Sequence, residues 1–95
     1  MAKNVKLSWT NPGSVSDIDT IEIYRKTGDH TSETNMDTFR SGATLVTSAP
    51  VGTAGNVQEY TESNVAANTY TYGAFSKNAG GFGPGDLTDS TIVVT

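Results

Sequence analysis

Thr69-Tyr70-Thr71-Tyr72-Gly73-Ala74-Phe75-Ser76 is rich in β-branched and aromatic residues, and its two faces alternate residue by residue. It therefore reads as a strand, with Tyr70, Tyr72, Ala74 and Ser76 on one face and Thr71, Gly73 and Phe75 on the other. The Gly/Pro-rich stretch after it, through Gly80, Gly81, Gly83, Pro84 and Gly85, reads as a turn. Outward from this segment, residues 5–10 alternate strictly and stop at Asn11-Pro12-Gly13, and residues 18–26 are β-branched with period two before Thr27-Gly28-Asp29. Residues 43–49, 57–62 and 87–94 complete six short strands; Pro50 and the turn from Gly52 to Gly55 separate the first two of these. Between the second and third strands, residues 28–42 form a polar excursion in which 32–40 reads as one or two helical turns before Gly42. Short strands with turns between them and no long amphipathic helix predict an all-β fold, an antiparallel two-sheet sandwich or a small barrel.

The 95 residues make one domain, residues 1–95, without an internal repeat or linker. With no cysteine, neither disulfides nor thiolate metal sites hold the fold, which rests on apolar packing and backbone pairing. Ten acidic against six basic side chains, a net charge of -4, argue against a nucleic-acid partner. No run of apolar residues is long enough for a membrane span, and no basic-then-apolar leader precedes the first strand. A start at Met1 and an end within a strand read as a complete short product.

Four local patterns give the chain a family resemblance. Leu7-Ser8-Trp9 before Asn11-Pro12, Ile21-Glu22-Ile23-Tyr24-Arg25, Tyr60-Thr61-Glu62 with Val65, and residues 70–84 occur in the order and spacing of a fibronectin type III domain, an immunoglobulin-like fold of bacterial secreted enzymes and phage virion proteins. The resemblance implies a core of Leu7, Trp9, Ile21, Ile23, Tyr60, Tyr70 and Tyr72, with Trp9 central between the sheets. It also implies that the Tyr70 hydroxyl ties back to an upstream backbone group. Two departures stand out. The family's first strand is missing or reduced to residues 2–4, which leaves an open sheet edge, and the excursion at 28–42 is longer than a hairpin needs.

Reactive groups are sparse. His30 is the single imidazole and reads as a solvated loop histidine; there is no thiol, and no Ser or Thr stands in a nucleophile motif. Asp17 and Asp19 with Glu22, and Asp86 with Asp89, read as solvated carboxylates near strand ends, too few for a calcium loop. The glycine run lies between strands and so reads as positive-φ turn residues, not a phosphate cradle. No catalytic residue, metal or cofactor is assigned.

Alternation points to a different feature: with Ile21 and Ile23 inward, Tyr24 and Phe75 face outward as an exposed aromatic pair across Gly73. They read either as aromatic cover for that glycine or, with Phe82, Met36 and Phe39, as an interface. The edge of the first strand either is blunted by Lys3 and Lys6 or accepts a strand from another chain. The expected function is a non-enzymatic decoration protein of a phage capsid or tail, assembled in the host cytoplasm. It would dock on a repeated coat or tail protein or on copies of itself, with glycan contact as an added capacity. The alternative is an extracellular accessory spacer, or a carbohydrate-binding module stacking sugars on Tyr24 and Phe75.

Overall fold

The computed structural model describes residues 3–88 and 90–95. Its elements run β1 (Lys3–Thr10), β2 (Thr20–Thr27), α1 (Met36–Arg40), β3 (Thr44–Pro50), β4 (Val57–Val65), β5 (Asn68–Asn78), β6 (Gly81–Leu87) and β7 (Ile92–Val94). β1 and β4 form a two-stranded sheet, and the order β3-β2-β5-β6, with β7 also on β5, forms a five-stranded one. Every pairing among the described residues is antiparallel, and the two sheets pack as an all-β sandwich.

The long β5 organises the larger sheet. β2 lines one of its edges from Lys77 to Tyr70, while β6 and β7 share the other, opposite residues 73–78 and 68–70 respectively. Of the closing strand expected at 87–94, Leu87 ends β6 and 92–94 form β7, while 88, 90 and 91 belong to neither and 89 lies outside the described residues. The expected glycine-rich turn is itself a strand, because the reversal is confined to Asn78-Ala79-Gly80-Gly81. Here the Asn78 side chain accepts from Gly80 N at 2.8 Å, and only Gly81 of the glycine run has a positive φ, 124°.

Inward alternation from β2 and β5 builds the core of Ile21, Ile23, Tyr70 and Tyr72, joined by Val65 and Val94. Burial of each aliphatic side chain contributes about 1.5–3 kcal/mol. Leu7 and Trp9 pack against this cluster only half-buried, so Trp9 stands at the margin of the core, not its centre. Tyr60 departs further from the expected core. It pairs with Leu7 and shares its face, but β4 is an outer strand, and 37% of Tyr60 stays exposed. Tyr70 is buried, and its hydroxyl donates to Ala66 O at 2.7 Å, the upstream tie expected of it.

Polar groups fasten the ends of the sandwich. Asn11 is buried at the first turn, donating from its side chain to Thr53 O at 3.1 Å and from its backbone to Asn56 O at 2.8 Å. At the opposite end Arg25 of the large sheet pairs with Glu62 of the small one. Lys3 and Asn4, expected as remnants of an earlier strand, belong to β1 itself; Ala2 lies outside the described residues. Among the described residues β1 pairs with β4 alone.

Candidate interaction surface

On the outer face of the large sheet, alternation brings Tyr24, Phe75 and Phe82 together. Ring centroids lie 5.7 Å apart for Tyr24 and Phe75, 6.2 Å for Tyr24 and Phe82, and 6.3 Å for Phe75 and Phe82, all edge-on. The predicted exposed pair nevertheless does not exist, because Phe75 is fully buried. The excursion folds down over it.

Local capping shapes that cover. Asn35 accepts from Asp37 N at 3.0 Å and Thr38 N at 3.2 Å, satisfying the first amides of α1. Lys26, projecting from β2, donates to Thr38 O and Ser41 O, each at 3.0 Å, so a cation closes the carbonyl end. Gly42 then leaves with φ 82°. Upstream, His30 N donates to Thr71 Oγ1 at 2.9 Å, and that hydroxyl donates to Gly28 O at 2.9 Å. His30 is therefore half-buried and bound to the sheet, not solvated; its ring also stands edge-on to Phe39 at 6.1 Å.

Phe39 is consequently buried with its centroid 6.0 Å from that of Phe75, a second small core outside the main one. Arg40 follows it, its guanidinium 4.8 Å from the Phe75 ring centroid and 3.9 Å from that of Phe82. Asp37 pairs with Arg40 from the first turn of α1. Met36 opens the helical turn and is half-buried, one turn away from Arg40.

Glycines make room for this packing. A Cβ at Gly85 would collide with the Phe75 ring, and one at Gly73 would lie 2.8 Å from both Phe75 Cε2 and Leu87 Cδ2. Phe75 is thus the aromatic cover of two glycines. Gly85, expected to set a turn angle, is instead a seat for a ring, while Gly81 keeps the expected positive φ.

What remains open is Phe82, 38% exposed, between Arg40 and Lys77, whose Nζ is 5.0 Å from its centroid, with half-buried Tyr24 beside it. Tyr24 donates to Glu22 Oε1 at 3.0 Å, and Ser48 donates to Glu22 Oε2 at 3.1 Å. Burial, then the bond to Glu22 and its charge, raise the Tyr24 phenol above its ordinary pKa, against the pull of Arg40. Glu22 is therefore a buried acceptor, contrary to the solvated reading; Asp17, Asp19 and Asp86 are exposed, and Asp89 lies outside the described residues.

Sequence alternation put Glu22, Tyr24 and Phe75 on one face, with Phe82 as a neighbour, but missed Arg40 and the burial of Glu22. The available signal was an Arg directly after the one aromatic residue of a polar excursion. Among the described residues no group of three or more His, Asp or Glu side chains is placed to hold a metal ion. Comparison with family models, curated proteins and solved structures returns no match.

Proposed function

We propose that the chain is a non-enzymatic docking module of the fibronectin type III kind, a small decoration protein of a phage capsid or tail that binds a repeated virion protein. The observation that carries this reading is the Phe82 patch: an exposed ring held between two cations on a face made rigid by the buried Phe39 and Phe75. An aromatic anchor with a cationic rim is the composition of an interface centre. It suits a partner surface that is apolar with carboxylates around it. The pairing of β1 with β4 opposite a β3-β2-β5-β6 sheet supports the fibronectin-like reading. Sugar stacking on a Tyr24–Phe75 platform is disfavoured because Phe75 has no open face.

Quantitative mass spectrometry of gradient-purified particles tests the proposal. The chain is expected at a fixed ratio to the repeated coat or tail protein, and particles lacking it should take up the wild type but not Phe82→Ser. Absence from particles, or equal uptake of the variant, overturns the reading.

A further inference from the structure

The small sheet is too narrow for the large one it covers. Where the β1 edge ends, a groove of about 830 Å³ opens between the sheets. One wall is the consecutive run Leu7, Ser8, Trp9 and Thr10 of β1; the other is the consecutive run Gly85 to Thr88 at the end of β6. Among the described residues β1 pairs with β4 alone and this part of β6 with β5 alone, so a backbone edge borders each wall. Ile18, Ile23 and Ala74, which pack on the main core, supply apolar lining.

We infer that this groove is a strand-acceptor site, filled by an extended segment of another protein that pairs with the free edge of β1 and places every second side chain, an apolar one, between the sheets. The inference rests on the docking reading and adds a second contact surface to it. Three observations favour this occupant. Among the described residues β1 has a partner on one edge only, and an unpartnered strand presents a row of N–H and C=O groups. An eight-residue strand offers about 27 Å of that edge, ample for a typical segment of five or six residues. Each wall also holds a buried polar atom without a hydrogen-bond partner among the described residues, Trp9 Nε1 on β1 and Thr88 Oγ1 beyond β6.

A second copy fits less well. Paired β1 to β1, it would offer a strand whose Leu7 and Trp9 already pack on their own core, so that pairing would bring no side chain into the groove. Asp86 pairs with Ala74 and so shares its groove-facing side, which favours a cation in the incoming segment where it passes that carboxylate.

The test is selection from a display library of nine-residue peptides carrying Val, Leu, Ile or Phe at alternate positions and Ser, Thr or Lys between them. Selected peptides should shift the emission of Trp9, the one tryptophan, to shorter wavelength and slow amide exchange along β1. N-methylation of the peptide at alternate residues should weaken binding about tenfold or more, because it removes the pairing donors and leaves the side chains. Ala74→Leu, which fills the groove, should weaken it comparably at unchanged thermal stability, and Phe82→Ser should not. Failure to select any peptide overturns the inference, as does affinity that survives N-methylation in both registers. A Trp9 shift that follows protein concentration alone, with a dimer in sedimentation, gives the groove to a second copy and also overturns it. Particle uptake that depends on Phe82 without peptide binding refutes the groove alone; peptide binding without particle uptake refutes the docking reading alone.

Discussion

Tyr72 donates its hydroxyl hydrogen to Glu62 Oε1 at 2.8 Å, joining β5 of the large sheet to β4 of the small one across the core. Arg25 closes the network by pairing with the other Glu62 oxygen, and its guanidinium lies 5.1 Å from the Tyr70 ring centroid. One carboxylate thus serves two strands of the opposite sheet. Both ion-pair partners are largely withdrawn from water, with side chains 22% and 14% exposed. Glu62→Ala leaves a half-buried cation and a buried phenol without their acceptor, and should cost about 2–3 kcal/mol. Glu62→Gln keeps an acceptor for Tyr72 and should cost less. Urea unfolding of the three proteins checks the order.

Stability should fall at alkaline pH because of the same bond. Burial first, then the hydrogen bond to Glu62 and its charge, raise the Tyr72 pKa far above the ordinary phenol value, against the opposing Arg25. The folded chain then keeps a proton that the unfolded chain releases. The Tyr72 contribution is whole below about pH 10 and declines above it, by up to about 1.4 kcal/mol per pH unit. Tyr72→Phe should be less stable at neutral pH yet flatter between pH 10 and 11, measured by urea unfolding at each pH.

The seat of Phe75 predicts a coupling. Gly85→Ala places a methyl group against the ring and should destabilise by about 1–3 kcal/mol. In a Phe75→Leu background, where that ring is gone, the same change should cost much less. A double-mutant cycle of unfolding free energies reads the difference, and an additive result would mean that the glycine is there for its backbone alone.

Strand placement was legible in the sequence wherever residue types alternate with period two, as in residues 5–10, 21–24 and 69–76. The reading faltered where that rule broke. β6 carries three glycines, of which Gly81 closes the reversal with a positive φ, Gly83 lies against the Ser76 side chain and Gly85 seats the Phe75 ring, so composition alone suggested a turn. Tyr24 and Phe75 were correctly assigned to one face, but that face is roofed by the excursion, and a period-two pattern holds no information about a distant loop folding over it. Tyr60 has the pattern of a core residue, but among the described residues no strand lies beyond β4 to cover it. The candidate surface could be read as a set of rings, but not as a buried pair with one exposed member.

Whether the excursion is a separate loop or part of the fold turns on Phe39. Lys26 and the cap at Asn35 hold it through exposed hydrogen bonds and Thr71 through a withdrawn one, while Phe39 supplies its fully buried apolar anchor against Phe75. Phe39→Ala removes a buried ring and should cost about 3 kcal/mol or more. The loss should be local as well as global: amides of residues 36–41 should exchange much faster, while those of β2 and β5 stay protected in proportion to remaining stability. Phe82→Ser, at a side chain already 38% exposed, should change neither pattern appreciably. Hydrogen exchange read segment by segment separates the two variants. If Phe39→Ala left the excursion as protected as before, the polar ties alone would hold Arg40 over Phe82, and the rigidity of the docking patch would have to come from them.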